Sequence, residues 1–455
     1  MTAPLPAPGL IVAAPSSGAG KTTVATALMA GFARRGLRVA PAKVGPDYID
    51  PRFHEAAAGR TSVNLDGWAM RPDLLDGLVA ARGSQADLVV VEGVMGLFDG
   101  APAAGAVDDG STAALARRTG WPVLLVVDAA RQAGSVAALV HGFRSFDPAV
   151  PVAGVLLNRV GGDRHAGLLR RALDPLGLPV VGAIPRDAAV DRPSRHLGLV
   201  QAGEDPALGD WLDRLAALAD AHVDLDAVRA LARPAGPATG GTGSLPPLGA
   251  RIAVARDDAF GFLYPHQLDG WRAAGSDLSF FSPLADQAPD PAADAVFLPG
   301  GYPELHAGRL AAAERFRHGL QAAAGRDAWI YGECGGFMAL GEALVDADGG
   351  SHRMAGLLPL TTRFDARRLH LGYRLVTTRA GTPFGPAGTR LRGHEFHYSS
   401  IGREGAADRP FEAEDALGNG VGETGLRRGR ILGSYMHLID SDRTGMPENG
   451  TEREN

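Results

Sequence analysis

A short apolar strand followed by a glycine-rich loop and a helix opens the chain, and this unit constrains the fold more than any other feature. Residues 10–13 read Leu-Ile-Val-Ala, and residues 14–23 read Ala-Pro-Ser-Ser-Gly-Ala-Gly-Lys-Thr-Thr. Glycines let backbone N–H groups surround phosphate oxygens, a lysine reaches the β and γ phosphates, and the next hydroxyl can ligate Mg²⁺. The residues predicted to bind a nucleotide in this way are Gly18, Gly20, Lys21, Thr22 and Thr23. Pro15 stands where the usual motif opens with glycine, but the strand and helix still favour a nucleotide site over a plain turn.

Further short apolar runs recur between helical stretches as far as about residue 185. Their continuous hydrophobicity predicts parallel strands with helices on both faces of the sheet. A Gly- and Pro-rich segment without periodicity follows, and the apolar runs then restart, which predicts a linker and a second α/β domain. The predicted parts are a nucleotide-binding domain at 1–232, a linker at 233–249, the second domain at 250–440 and a flexible tail at 441–455.

Acidic residues are predicted at the edge of the first sheet where its strands end. Glu92 directly follows four apolar residues, and Asp47 and Asp50 lie past the second strand. Ligands of open α/β sheets bind outside the carboxyl ends of the strands, and ATP chemistry needs hard oxygen ligands for Mg²⁺. The sequence therefore predicts ATP as a substrate and a Mg²⁺ site made by Thr22, Asp47 and Glu92.

The single cysteine of the chain, Cys334, lies between a short apolar strand and a helix, in the run Gly-Glu-Cys-Gly-Gly. A nucleophile on such a sharp turn is exposed beside backbone N–H groups and the positive end of a helix, and we expect this to lower the pKa of the thiol. Gly301 and Gly335 follow predicted strands and are expected to donate N–H groups to an oxyanion. His437 is the predicted base, so that the pair performs acyl transfer through a thioester.

Composition narrows the class of protein. The 455 residues include 45 basic and 51 acidic side chains, with a formal net charge of −6, so no basic surface argues for nucleic acid or an anionic membrane. No apolar stretch approaches the roughly 18 residues of a membrane span, and a lone cysteine makes no internal disulfide. We therefore expect a cytoplasmic enzyme whose partners are small molecules.

These motifs, in their order along nearly the whole chain, resemble the cobyrinic or hydrogenobyrinic acid a,c-diamide synthase family of cobalamin biosynthesis. The runs that carry the resemblance are residues 15–23, 44–51, 92–100 and 299–304, with Cys334 and His437. The first half is similar to the dethiobiotin-synthetase type of ATP-dependent domain, and the second half to a class I glutamine amidotransferase. The resemblance implies that glutamine is hydrolysed at the thiol and that ammonia passes to an ATP-activated carboxylate on side chains a and c of a tetrapyrrole.

The resemblance also implies roles for individual residues. Asp47, Asp50, Glu92 and Asp99 would handle Mg²⁺, ATP or an acyl phosphate, with Tyr48 beside them, and Asn158 would read the adenine. Other class I amidotransferases have a glutamate two residues after the histidine, whereas His437 is followed by Leu-Ile-Asp. The residue that orients His437 stays open, with Asp440, Glu395, His397 and a backbone carbonyl as alternatives.

Three alternative functions compete with this interpretation. A partitioning-type ATPase switch would carry a second lysine early in the phosphate loop, where this chain has Ser16. Cobyric acid synthase amidates other side chains, and the run at residues 44–51 favours a,c-diamidation. Nickel-sirohydrochlorin a,c-diamide synthase is the third rival. The cobalt content of the substrate, the path of the ammonia and a homodimeric assembly stay open.

Overall fold

The first part of the chain forms a seven-stranded sheet with the order β3-β2-β4-β1-β5-β6-β7, in which every neighbouring pair is parallel. A computed structural model describes residues 7–84, 86–187, 189–190, 194–195, 198–199, 201–236, 240–365 and 368–442. The strands are β1 (Gly9–Ala13), β2 (Val39–Val44), β3 (Val63–Leu65), β4 (Leu88–Glu92), β5 (Val123–Asp128), β6 (Val152–Val160) and β7 (Val180–Pro185), with a two-stranded hairpin of β8 (Ser194–Arg195) and β9 (Gly198–Leu199) after them. The helices are α1 (Lys21–Arg34), α2 (Asp50–Ala58), α3 (Pro72–Ser84), α4 (Thr112–Thr119), α5 (Val136–Ser145), α6 (Asp163–Leu173), α7 (Leu208–His222) and α8 (Leu225–Leu231).

The strands β1, β2 and β4 are buried at every position, as their continuous hydrophobicity predicts. Because β1 lies between β4 and β5, the loop after β1 opens at the middle of the carboxyl edge. The prediction of a parallel α/β nucleotide-binding fold is confirmed.

The second part is also α/β, with antiparallel sheets added. Its strands are β10 (Arg251–Ala255), β11 (Asp277–Phe281), β12 (Ala295–Leu298), β13 (Trp329–Glu333), β14 (Ala343–Val345), β15 (Ser351–Arg353), β16 (Leu360–Arg363), β17 (His370–Thr378), β18 (Arg390–His397), β19 (Ser400–Glu404), β20 (Phe411–Asp415), β21 (Gly420–Thr424), β22 (Leu426–Arg428), β23 (Ile431–Ser434) and β24 (Met436–Ser441). Its helices are α9 (Pro265–Ala273), α10 (Ala307–Ala312), α11 (Glu314–Gly325) and α12 (Gly335–Leu340).

The central sheet of this part has the order β11-β10-β12-β13-β23-β22, and a five-stranded sheet has the order β21-β20-β17-β18-β24. A four-stranded sheet of order β15-β14-β16-β19 completes it. The chain passes from β23 in the central sheet to β24 in the five-stranded sheet through the single residue Tyr435. This change of sheet brings β24 back beside the end of β13.

The two parts share one continuous interface. Four residues of the second part, Phe262, Tyr264, Tyr302 and Ile439, belong to the apolar core of the first part. Arg71 donates from its backbone N–H and its Nε to the carboxylate of Asp440 at 2.8 and 2.9 Å, and Asp440 is fully buried. Trp68 and Tyr373 stack with ring centroids 4.4 Å apart. The nucleotide-binding edge is therefore held against the five-stranded sheet.

Residues 237–239 of the predicted linker and 443–455 of the predicted tail lie outside the described residues. Within the described linker residues, Leu245 and Leu248 are buried, and the carbonyl of Gly243 accepts from Arg71 Nη2 at 2.9 Å. None of the helices that the structure describes combines the length and apolar character that a membrane span requires.

Candidate active sites

The phosphate loop has backbone angles that require glycine. Gly18 and Gly20 have φ values of 79° and 91°, in the left-handed region, and α1 begins at the next residue, Lys21. A Cβ added to Gly20 would lie 2.3 Å from Nδ2 of Asn158. The loop therefore presents the N-terminus of a 14-residue helix, the arrangement that receives phosphate groups.

Asn158 closes the loop from β6, which is separated from β1 by β5 in the sheet. Its Nδ2 donates to the carbonyl of Ala19 at 2.9 Å, and Arg159 Nη1 donates to the carbonyl of Gly18 at 2.8 Å. The residue predicted to read the adenine thus also fixes the loop. With Gly20 and Thr23, Asn158 lines a small cavity that continues along residues 184–187 at the end of β7.

Lys21 reaches across the loop toward the acidic edge. Its ammonium donates to the carbonyl of Met95, and more weakly to that of Ser16 at 3.5 Å. Burial and the neighbouring Lys43 lower the pKa of Lys21. Asp99 accepts from the backbone N–H of Gly96 at 2.8 Å and closes the turn that carries Met95.

The acids predicted at the carboxyl edge meet at Thr22. The Thr22 hydroxyl is 2.7 Å from Glu92 Oε1 and 3.3 Å from Asp50 Oδ2. Asp47 lies on the outer side of the cluster, where its carboxylate accepts from the backbone N–H of Ile49 at 2.7 Å. The structure therefore brings the phosphate loop and the predicted acids together.

Two residues that the sequence analysis missed complete this cluster. The ammonium of Lys43, at the end of β2, lies 2.7 Å from Asp50 Oδ2 and 2.9 Å from Glu92 Oε1. His54 Nε2 lies 2.6 Å from Glu92 Oε2, and His54 is fully buried. A lysine one residue before the end of a buried strand is the signal that could have identified Lys43, because such a cation needs buried acids beside it.

Burial and the charges of neighbouring side chains determine which of the acids is ionised. Burial alone would lower the pKa of Lys43, but the carboxylates of Asp50 and Glu92 outweigh it and hold that pKa above its usual value. Burial would raise the pKa of Asp50, but the attraction of Lys43 outweighs it and lowers that pKa. Burial and the adjacent Asp50 instead raise the pKa of Asp47. Asp50 is therefore the anionic member of this pair, and Asp47 is the member that takes up a proton first.

The predicted nucleophile lies on a strained elbow between β13 and α12. Cys334 has φ 45° and ψ −103°, a backbone conformation that side chains other than glycine rarely adopt. Its backbone N–H donates to the carbonyl of Ser434 at 2.8 Å, and its Sγ contacts the carbonyl of Phe396 at 3.6 Å. The expectation of a lowered thiol pKa is wrong: burial, and then the charge of Glu304, raise it, and the elbow N–H of Gly335 opposes them only in part.

The predicted oxyanion glycines face each other beside this elbow. A Cβ added to Gly335 would lie 3.0 Å from the backbone nitrogen of Gly301. A Cβ added to Gly300 would lie 2.3 Å from Cε1 of His437. The turn at Gly300 and Gly301 therefore lies between the elbow and the predicted base, and neither position tolerates a side chain.

His437 is fully buried on β24, and it pairs in register with His394 on β18. Its ring stacks on the ring of His394 at 4.9 Å and lies 5.2 Å from the ring of Tyr48. Among the described residues, neither ring nitrogen has a hydrogen-bond partner, and the nearest carboxylate oxygen is Oε2 of Glu333, 3.9 Å from Nδ1. Burial and then His394 lower the pKa of His437, so its imidazole is neutral in the free protein.

The acids considered in the sequence analysis as partners of His437 have other partners. Asp440 binds Arg71. Glu395 lies 2.6 Å from Arg374 Nη2 and 2.9 Å from His397 Nε2. The residue with a carboxylate beside His437 is Glu333, which no sequence pattern indicated.

A cavity of about 920 Å³ lies between the acidic edge and the five-stranded sheet. Asp47, Tyr48, Met95 and Asp99 line it from the nucleotide-binding edge. From the five-stranded sheet and its loops, the lining includes Leu371, Tyr373, Arg374, His394, Phe396 and Leu417. Leu371 and Leu417 are about 60% exposed, so the apolar wall of this cavity is open to a ligand.

Comparison with known proteins agrees with this arrangement. Residues 10–200 match the family described as the CobQ/CobB/MinD/ParA nucleotide binding domain, and residues 251–444 match the CobB/CobQ-like glutamine amidotransferase domain. The chain is 54% identical to a hydrogenobyrinate a,c-diamide synthase of Brucella anthropi over 95% of this chain and 98% of that protein. It is also 54% identical to the enzyme of that name from Rhizobium meliloti, over 95% of this chain and 99% of the relative. The chain belongs to the hydrogenobyrinate a,c-diamide synthase family.

Proposed function

We propose that this enzyme amidates the a and c acetate carboxylates of hydrogenobyrinic acid, with ATP as the activating substrate and glutamine as the nitrogen donor. The observation that carries the proposal is the cavity that joins the acidic edge to the glutamine amidotransferase part. Its apolar wall suits a macrocycle, and Asp47 and Asp99 line the same space. The names of the relatives support the cobalt-free substrate.

The first half-reaction is the activation of a carboxylate. A substrate carboxylate oxygen attacks the γ-phosphorus of ATP, and the bond from that phosphorus to the β–γ bridging oxygen breaks. ADP departs, and the substrate carboxylate has become an acyl phosphate. The N-terminus of α1 and the ammonium of Lys21 stabilise the phosphate charge, because both are positive and partly shielded from water. In our proposal Asn158 and the cavity beside it hold the adenine.

The donor set at the edge fits a Mg²⁺ ion. The Thr22 hydroxyl and the carboxylate of Glu92 are 2.7 Å apart, with Asp50 at 3.3 Å and Asp47 beyond it, and Mg²⁺ prefers oxygen ligands of these kinds. When bound, Mg²⁺ would withdraw charge from the phosphate oxygens. We propose Thr22, Asp47 and Glu92 as its protein ligands, while Lys43 balances the charge of the acids and His54 fixes Glu92.

The second half-reaction releases ammonia from glutamine. The Cys334 thiol loses its proton to His437 as the sulfur attacks the amide carbon, and the C–N bond breaks when ammonia leaves with that proton. The thioester then reacts with water to give glutamate and the free thiol. The backbone N–H groups of Gly301 and Gly335 are the proposed donors to the oxyanion.

Enclosure between the two sites keeps the ammonia reactive. Ammonia in water is largely protonated and no longer nucleophilic, whereas a path inside the protein avoids this loss. Tyr48 contacts the ring of His437 and follows Asp47 directly, which supports the proposal that this side chain separates the two half-reactions. In our proposal the ammonia attacks the acyl phosphate carbon in the cavity, and inorganic phosphate leaves.

The test is incubation of the purified protein with ATP, Mg²⁺, glutamine and one tetrapyrrole at a time, with the products weighed by mass spectrometry. We expect two amidations of hydrogenobyrinic acid. Equal or better turnover of the cobalt-bearing macrocycle would reassign the substrate. Amidation of other side chains would indicate cobyric acid synthase activity, and amidation of nickel sirohydrochlorin would indicate the third rival. ATP turnover without any amide would favour a nucleotide switch.

A further inference from the structure

Glu333 is a fully buried carboxylate whose role the reaction above does not assign. It is the last residue of β13 and immediately precedes Cys334, and only 1% of its surface is exposed. A buried carboxylate is costly unless it is hydrogen-bonded or paired with a charge. Its contacts therefore indicate what holds it there.

One oxygen of Glu333 is fixed by the protein, and the other faces His437. Oε1 accepts from the hydroxyl of Tyr331 at 3.0 Å and from the backbone N–H of Leu438 at 3.1 Å. Oε2 lies 3.9 Å from Nδ1 of His437. Because Leu438 follows His437 in β24, the hydrogen bond to its backbone also fixes the strand that carries the base.

The strand register explains why a residue at this position can reach the histidine. Glu333 is paired with Ser434 across β13 and β23, and the chain then turns into β24 after one residue. His437 thus returns beside the end of β13, where the nucleophile also lies. The carboxylate nearest to His437 is therefore one that precedes the nucleophile and not one that follows the histidine by two residues.

We propose that Glu333 is the positioning residue of His437, orienting the imidazole through Nδ1 so that Nε2 exchanges the proton with the Cys334 thiol. This inference rests on the proposed glutaminase half-reaction. When the thiol proton moves to Nε2, the ring becomes an imidazolium, and the carboxylate of Glu333 stabilises that charge. The contact of 3.9 Å tightens when the ring is charged, since hydrogen bonds between catalytic groups are often long in the free enzyme.

The surroundings of His437 offer no equivalent partner among the described residues. The titratable groups that face it from the neighbouring elements are Glu333, His394, His397 and Tyr48. The two other histidines lower the pKa of His437, and of these groups only Glu333 is a carboxylate. Burial raises the pKa of Glu333 to about 8, so the ionised carboxylate that this role needs becomes more populated as the pH rises toward that value.

The experiment compares Glu333→Gln with Asp440→Asn, a substitution of an equally buried carboxylate that binds Arg71 instead. We expect Glu333→Gln to lower kcat for glutamine hydrolysis by about 100-fold, the usual range for a general base that is out of place, with little change in KM. The pH profile of kcat should also change. The kcat of the wild type should rise with pH as Glu333 ionises, and Glu333→Gln should lose this rise. Asp440→Asn removes a buried charge from Arg71 and is expected to lower the stability, but kcat measured per folded protein should stay within about threefold.

The controls separate the possible failures. If wild type releases no glutamate from glutamine, the proposed function is wrong and not merely the role of Glu333. If wild type is active and Glu333→Gln keeps both its kcat and its pH profile, the positioning role is overturned. If ammonia-driven amidation is lost as well, Glu333→Gln has not folded, and Glu333→Asp is tested in its place. This variant keeps the carboxylate but moves it away from His437 by one methylene. The proposal then requires at least about a tenfold loss in kcat, and an unchanged kcat overturns it.

Discussion

The ring of Tyr48, in the loop between Asp47 and the start of α2 at Asp50, lies 5.2 Å from the ring of His437. It also stacks on Phe262, at 5.0 Å and with nearly parallel planes. One aromatic side chain therefore belongs to the walls of both candidate sites, and its removal should affect their coupling.

Tyr48→Ala is expected to increase the number of glutamine molecules hydrolysed per amide formed, because it opens a route for ammonia to escape beside His437. The ratio of glutamate to amide, measured in one reaction mixture, checks this. Tyr48→Phe keeps the ring and serves as the control, with a ratio near that of wild type. An unchanged ratio in Tyr48→Ala would mean that the ring does not separate the sites.

Cys334→Ala is expected to abolish glutamine-dependent amidation, by at least about 1000-fold, while amidation with a high concentration of ammonia persists. The physical reason is that the thiol only supplies the nitrogen nucleophile, whereas the acidic edge activates the acceptor. Amide formation from each nitrogen source is the measurement. Loss of both activities in a folded protein would contradict the assignment of two separate sites.

Lys21→Ala, Asp47→Asn and Glu92→Gln should each lower amide formation by about 100-fold or more with glutamine and with ammonia alike, because they act on activation. Arg38→Ala is the matched control, since Arg38 pairs with Asp87 on the surface and should change the rate less than about twofold. Near-normal Mg²⁺-ATP turnover in Glu92→Gln would mean that Glu92 has a structural role and is not a ligand of Mg²⁺.

The raised pKa of Cys334 predicts how its thiol responds to pH. A thiol with a raised pKa is mostly protonated at neutral pH, so its thiolate fraction still rises with pH where an ordinary thiol, with a pKa near 8.5, has levelled off. Iodoacetamide labelling of the free enzyme should therefore still increase above about pH 9.5, where labelling of free cysteine levels off. Free cysteine in parallel reactions is the control, and a plateau for Cys334 at or below the pH at which free cysteine levels off would contradict the prediction.

His437→Asn should slow labelling of Cys334 by a glutamine-mimicking electrophile, while Asp440→Asn should not. The imidazole takes the thiol proton, whereas the Asp440 carboxylate faces Arg71 and not the base. The rate of labelling as a function of pH measures both effects. Equal slowing by Asp440→Asn would make Asp440 the orienting residue and remove that role from Glu333.

The nucleotide-binding fold could be predicted from local pattern because its signals are contiguous. The strand at residues 10–13, the glycines of the loop and Lys21 lie within fifteen residues, so the geometry that phosphate binding needs is visible in the sequence. Glu92 could be placed as well, because a carboxylate that ends a buried strand must lie at the ligand edge of a parallel sheet. Thr22 and Glu92 do meet there.

The parts that could not be predicted depend on where distant segments meet. Glu333 becomes the neighbour of His437 only because the chain changes sheets after β23, and no periodicity encodes that turn. The raised pKa of Cys334 depends on its burial, and one of the groups that Sγ contacts is the carbonyl of Phe396, which is 62 residues away in sequence. The proximity of Asp440 to His437 in sequence was misleading for the same reason, since the register of β24 directs these two residues to different partners.

The ion pair of Arg71 with Asp440 predicts how each half of this chain would behave if it were expressed alone. Arg71 belongs to the nucleotide-binding part and Asp440 to the last strand of the amidotransferase part. A break at residues 240–249 would leave each fragment with one member of this ion pair and expose the aromatic surface around Tyr264. Losing one partner of a buried pair costs about 3 to 5 kcal/mol, a large share of the stability of an ordinary domain. The two halves are therefore expected to be poorly soluble when expressed apart and to recover when they are produced together, because each supplies the surface on which the other completes its folding.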